Sequence, residues 1–261
     1  MRVKRLISVL AFVFLAGSAA LLLYPRVSAP HVQSAFEAAA LLEQDRQAGG
    51  DGVTFRAEEV DPDEVYRALE ARWPYAFALH ATTRPDQTTT MRVEVPRAAR
   101  QAQAQAYAAA LAADSVTAEM DDARKLRALH DALVRLCAYD VDTAVQRDPD
   151  GADAAFAADG ALLDHQAVCA GYGRAFAMLC EAAGLDTVYV ASEEMNHGWN
   201  AVRLDGQTYY IDCTFDDPVP DRGEYVSDSY FLLTAEELRR THVWDEAFCE
   251  RALDSLAKDS G

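Results

Sequence analysis

Three side chains in the second half of the chain are of the types that nucleophilic acyl transfer needs: Cys169, His197 and Asp212. A thiolate attacks carbonyl carbon, an imidazole moves the proton, and a carboxylate orients the imidazole. Cys169 opens a segment, Val168 to Ala183, in which Tyr172, Ala175, Phe176, Leu179 and Ala183 trace one helical face before Gly184 closes it. The positive end of a helix stabilises a thiolate, and a neighbouring imidazolium adds to that. The other thiols have blander surroundings. Cys180 falls in the helix interior, Cys137 at a helix end and Cys213 in an expected strand, and packing is the default role of such cysteines.

The partners of Cys169 are placed by a hairpin. Asp205-Gly206 stands between two alternating runs, Gly198 to Leu204 and Gln207 to Cys213. Asp-Gly in that context signals a two-residue turn, which pairs Leu204 with Gln207. The register then sets Trp199 opposite Asp212 and His197 opposite Thr214. Opposed residues share a sheet face, as do residues two apart on one strand. His197, Trp199 and Asp212 therefore share a face, with His197 and Asp212 as diagonal neighbours about 7–8 Å apart along the backbone. A carboxylate there fixes the imidazole tautomer and stabilises the imidazolium.

Three blocks carry these residues: Val168-Cys169-Ala170-Gly171-Tyr172-Gly173-Arg174-Ala175-Phe176, then Asn196-His197-Gly198-Trp199-Asn200-Ala201-Val202, then Tyr209-Tyr210-Ile211-Asp212-Cys213-Thr214-Phe215-Asp216-Asp217-Pro218. Together they resemble the transglutaminase-like superfamily, in which each block carries one triad member in the order Cys, His, Asp. The resemblance extends over about residues 115–245, through Leu129-His130-Asp131, Cys137-Ala138-Tyr139-Asp140 and Tyr230-Phe231-Leu232. It departs at four places. Gly198 stands where Ala is common, Cys213 where a small apolar residue is common, Phe215 where Trp is frequent, and His165 where Gly often precedes the Val-Cys pair.

The resemblance implies an α+β fold with a papain-like core, a cysteine-bearing helix packed on an antiparallel sheet. It implies a cysteine peptidase or amidase if water takes the acyl group, and a protein-glutamine amine transferase if an amine does. A non-catalytic surface binding module on the same fold is the rival from another class. Trp199 would cover the site in the family pattern, with sheet packing as the alternative. The backbone N–H of Cys169 is a natural oxyanion donor, and Gln166 is a candidate for the second, with a solvated turn as the alternative. Asp216-Asp217-Pro218 reads as a turn rather than a metal site, and no spaced acids form a calcium loop, so neither metal nor cofactor is expected.

The elements around these residues follow from patterning. Residues 31–114 form a front region of helices and strands without identifiable chemistry. It reads as a helix from His31 to Gln47, a helix capped by Asp61-Pro62-Asp63-Glu64 with Val65, Leu69 and Trp73 facing inward, and two strands around Tyr75-Phe77-Leu79 and Met91-Val93-Val95. Ala98 to Ala113 is a packing helix. Residues 115–250 hold the catalytic domain, starting with a helix over Met120 to Cys137 whose Leu126, Leu129, Leu133 and Leu136 form an apolar stripe. His130, beside that stripe, reads as a packing residue, as do His242 and Trp244. Thr234-Ala235-Glu236-Glu237 is a capping box expected to start the last helix, and residues 251–261 read as a frayed tail.

Composition sets outer bounds. The 261 residues are 51% hydrophobic, enough for a sizeable core. The 24 basic residues against 42 acidic ones give a net charge of −18, which argues against nucleic acid as the main partner. The charge is uneven: no acid precedes Glu37, while Arg2, Lys4, Arg5 and Arg26 do. Setting those four aside leaves 20 basic residues against 42, a balance of −22. Leu6 to Tyr24 is an uncharged run of 19 residues behind a basic flank. Within residues 1–30 it reads as a signal anchor that crosses the membrane through residues 6–24, in preference to a cleaved signal peptide. The body is then extracytoplasmic (secreted if the leader is cleaved), with a protein or peptide substrate, cell-wall peptide included. The five cysteines, an odd number, leave at least one thiol unpaired there.

Overall fold

The computed structural model describes residues 29–57, 60–146 and 153–259. The proposed membrane anchor lies outside them; among the described residues no helix is long and apolar enough to cross a membrane.

The front region packs two helices on a sheet. Helix α1 (Ala35–Gln47) starts on Ser34, whose side chain accepts the Glu37 N–H. Strand β1 (Gly52–Arg56) follows, then α2 (Pro62–Arg72) on the expected Asp61 cap. Strands β2 (Ala78–Thr83) and β3 (Thr88–Glu94) complete an antiparallel sheet in the order β1-β3-β2. Leu42, Phe55, Val65, Leu69 and Met91 are fully buried between them. The strand expected from Tyr75 begins only at Ala78. Trp73, Tyr75 and Phe77 instead gather as an aromatic knot, with centroids 4.7 and 5.7 Å from that of Trp73.

Helices α3 (Ala98–Ser115) and α4 (Asp122–Leu136) lead into the second core. The leucine stripe of α4 is buried as the period requires, with Leu126, Leu129 and Leu133 at 1% exposure or less. Strand β4 (Ala138–Tyr139) and the short α5 (Val141–Ala144) follow, and β5 (Gln166–Ala167) pairs with β4 in parallel. Helix α6 (Cys169–Ala182) then packs on the antiparallel meander β6 (Thr187–Ser192), β7 (His197–Leu204) and β8 (Gln207–Ile211). A helix bearing the candidate nucleophile thus lies on an antiparallel sheet, the α+β arrangement expected.

The hairpin register is the expected one: Leu204 pairs with Gln207 and Asn200 with Ile211. Asp205 and Gly206 both take positive φ, +50° and +79°, as this turn demands. The chain departs from expectation after Ile211. Cys213 is not in a strand but in the one-turn helix α7 (Cys213–Asp216), because the Asp212 side chain caps the backbone there and ends the ladder. The Thr234–Glu237 capping box is present but starts only α8 (Ala235–Leu238). The last helix is α9 (Glu246–Asp259). Residues 251–259 are therefore helical rather than frayed, since Ala252 and Leu253 are buried against the sheet with Val190 and Trp199.

Candidate active site

Cys169 is held by the strand and turn before it. Its neighbour Val168 is extended, and the Val168 N–H donates to the Ala155 carbonyl. Parallel pairing of β5 with β4 adds Ala138 N–H to His165 O and Asp140 N–H to Ala167 O. The turn ahead of β5 is pinned from α3. Arg97 and Arg100 both reach the fully buried Asp159 carboxylate, at 3.1 and 3.0 Å, and Arg100 also reaches Asp164 at 2.6 Å. His165 sits in this turn at φ +58°, a conformation that glycine adopts more readily. Gly171 lets α6 approach closely: a Cβ there would lie 2.5 Å from the Ala155 carbonyl oxygen. No side chain caps α6, so its first N–H groups remain available to an anionic ligand.

His197 begins β7 after a turn in which Asn196 takes φ +48°. Its Nε2 lies 2.7 Å from Asp212 Oδ2. The two side chains meet as expected, although the ladder ends at Asn200–Ile211 and the expected pairs Trp199–Asp212 and His197–Thr214 do not form. Asp212 is fixed at both oxygens. Its Oδ1 accepts the N–H groups of Thr214 and Phe215, at 2.9 and 3.1 Å, and its own N–H donates to the Tyr230 carbonyl.

The electrostatics agree with an imidazolium on a carboxylate. Burial disfavours charge on His197, but the hydrogen bond to Asp212 and the neighbouring Cys169 outweigh it and raise its pKa to about 9. Burial pushes the Asp212 carboxyl up, yet hydrogen bonds from His197 and His242 hold it below its usual range. An ionised carboxylate only accepts, so the His197 Nε2 facing it carries a hydrogen. Cys169 is partly exposed, whereas the other four thiols are buried. Burial pushes Cys137, Cys180 and Cys249 up to about 12 and Cys213 well above its ordinary range, so those thiols are inert at neutral pH.

The softer site residues fall out unevenly. Trp199 stacks on His197 with centroids 5.6 Å apart, but at 1% exposure it walls the imidazole from within the sheet rather than covering the site. Phe215 takes the outer place: its ring is 4.8 Å from His197 and 44% exposed. Gln166 is exposed, and among the described residues no hydrogen bond joins its side chain to Cys169 or His197. Gly198 is filled by its neighbour across the sheet, since a Cβ there would lie 2.0 Å from the Tyr189 hydroxyl.

Asp216 and Asp217 turn away from each other. Asp216 meets His130 Nε2 at 3.1 Å and accepts the Tyr230 N–H, while Asp217 accepts the Tyr172 hydroxyl. His242, expected to be a packing residue, places its Nε2 3.1 Å from Asp212 Oδ2. No local pattern marks it, because it is brought back to Asp212 by long-range pairing. His197, Asp212 and His242 offer ligand atoms within 4.8 Å of one another, a spacing that could hold a metal ion. Two imidazole N–H groups sharing one carboxylate oxygen need the same spacing, and the hydrogen bond between Thr241 and His242 Nδ1 engages the second ring further.

Part of the chain is similar to known proteins. Residues 109–213 match the model of the transglutaminase-like superfamily core, a span that includes Cys169, His197 and Asp212. The mouse kyphoscoliosis peptidase is 25% identical over 142 residues, which cover 48% of this chain and 21% of that protein; the chain thus spans about a fifth of its length. A solved structure described as a TGase aligns over 71% of this chain and 59% of its own, at 13% identity and a TM-score of 0.37. Over residues 109–213 the chain is thus similar to the transglutaminase-like superfamily.

Proposed function

We propose that the chain is a cysteine peptidase or amidase acting through Cys169, His197 and Asp212. The observation that carries this reading is the His197–Asp212 pair, 2.7 Å apart, with the partly exposed Cys169 thiol close enough to raise the His197 pKa. The Cys169 thiolate adds to an amide carbonyl, and the oxyanion is received by N–H groups at the start of α6, with Gln166 as a further donor. His197 gives its proton to the departing amine as the C–N bond breaks, leaving a thioester on Cys169. Water then adds, His197 takes its proton, and the C–S bond breaks to return the thiolate and release the acid. Asp212 orients His197 in both halves and stays ionised. The substrate is a protein or peptide, and the site of action is the outer surface of a membrane that residues 6–24 anchor.

Iodoacetamide labelling tests the nucleophile. Cys169 should alkylate rapidly near pH 6 and lose that rate in His197→Ala. Labelling as slow as an ordinary thiol would sink the reading and favour a binding module. Peptide substrates offered with and without a primary amine separate hydrolysis from transfer; product carrying the amine would replace the peptidase by a protein-glutamine amine transferase.

A further inference from the structure

His242 occupies a position that simple packing does not require. Its Nε2 lies on Asp212 Oδ2 at 3.1 Å and its Nδ1 on Thr241 Oγ1 at 2.8 Å, with the His242 and Asp212 side chains both buried. An ionised Asp212 accepts only, so Nε2 carries a hydrogen. The ring is walled by Trp199, Phe215 and Tyr230, with centroids 4.7, 4.9 and 5.5 Å away. Its backbone is tied to the strand that leads into Asp212. Leu233 and Tyr210 exchange both backbone hydrogen bonds, and the Leu238 carbonyl at the end of α8 accepts the N–H groups of Thr241 and His242. The segment is thus built to present one imidazole N–H to one carboxylate oxygen.

We infer that His242 is a positioning residue for the acyl-transfer reaction proposed for Cys169, His197 and Asp212, and the inference rests on that reading. Thr214 and Phe215 fix Oδ1, and His242 takes one approach to Oδ2, which leaves His197 a single direction from which to bond. Without His242 the carboxylate can swing within its aromatic box, and His197 loses the orientation it needs to draw a proton from water during thioester hydrolysis.

The test uses p-nitrophenyl acetate and the full chain. Thiolate attack releases p-nitrophenolate in a burst and leaves an acetyl thioester, and the steady rate that follows reports its hydrolysis to acetate. His242→Gln keeps an N–H donor but no ring; His242→Phe keeps the ring but no donor. Positioning predicts that Gln hydrolyses the thioester within about twofold of the parent, and that Phe and His242→Ala are slower by about tenfold with an unchanged burst. A parent-like rate in Phe with a slow Gln, or parent-like rates in all three, would overturn the inference. A parent protein without a burst that Cys169→Ala removes would overturn the acyl-transfer reading as well.

Discussion

Two imidazoles rest on carboxylates four residues apart in the chain, the half-buried His197 on Asp212 and the buried His130 on Asp216, at 2.7 and 3.1 Å. The pairs differ in the further partner. His130 turns its second nitrogen to another carboxylate, Asp131, at 2.9 Å, while His197 has the Cys169 thiol as its neighbour. With a carboxylate at each end, both His130 nitrogens must donate, so the ring is held as an imidazolium, and Arg127 and Arg135 lie 3.7 Å from Asp131. Burial lowers the His130 pKa, but its two carboxylate partners raise it further. Such a ring can neither take a proton nor give one up without losing a partner. A His–Asp pair becomes reactive only where its further neighbour is a group whose own charge can change.

Breaking each pair should therefore give a different kind of damage. The largest effect is expected from His197→Ala, which should slow Cys169 alkylation near pH 6 by about 100-fold or more while the melting temperature changes little. A melting temperature that fell as far as the labelling rate would make His197 a structural histidine like His130. His130→Ala should do the reverse. Removing one member of a fully buried ion pair costs about 3–5 kcal/mol, here leaving Asp216 without its cation. Denaturant titration should show that loss, with the alkylation rate of the folded fraction unchanged.

The reactive pair was the more legible of the two in the sequence. Asp205-Gly206 fixes the hairpin register, and the register fixes which residues share a face with His197. Cys169 was legible because it opens a helix. The contacts of His130 and His242 were not, because each depends on how distant segments pack. Asp216 is 86 residues from His130, and Asp212 is 30 from His242. The two-residue strands β4 and β5 were too short to leave a pattern, although their pairing sets the backbone just ahead of Cys169. Cys213 carried a strand signal that the Asp212 cap overrode. The apolar alternation after Trp73 was real, but tertiary packing gathered Tyr75 and Phe77 into an aromatic knot instead of a strand.

A smaller effect sharpens the comparison through pH. His130 has a folded pKa above its ordinary 6.5, so its contribution to stability is complete below about pH 6.5 and fades as pH rises through the folded value. Asp131 is shifted down from 3.8, despite the upward push of burial, by its hydrogen bond with His130. Its contribution is present above about pH 4 and fades as pH falls through the lowered value. Asp216→Asn keeps an oxygen for the Tyr230 N–H but removes the charge facing His130. It should cost about 1.5–3 kcal/mol between pH 4.5 and 6.5, and less at higher pH. A cost that stayed constant through pH 9 would mean that His130 is neutral in the fold.

The smallest effect concerns the acid next to that pair. Burial raises the Asp217 pKa to about 6, against the hydrogen bond from Tyr172 that lowers it, and its Oδ1 is buried without a hydrogen-bond partner. A raised carboxyl reverses the sign found for Asp131. The folded state binds the proton more tightly, so stability falls as pH rises from about 4 to about 6 and stays lower above that. Asp217→Asn removes this slope. The variant should gain on the parent across the same window, ending about 1 kcal/mol more stable at pH 8 once solvent screening is allowed for. The alkylation rate of Cys169 should not move, because Asp217 holds the Tyr172 hydroxyl and not His197. If the Asp217→Asn variant instead lost stability at pH 8, the Tyr172 bond would outweigh the buried charge, and Asp217 would belong with Asp216 among the carboxylates that hold this fold together.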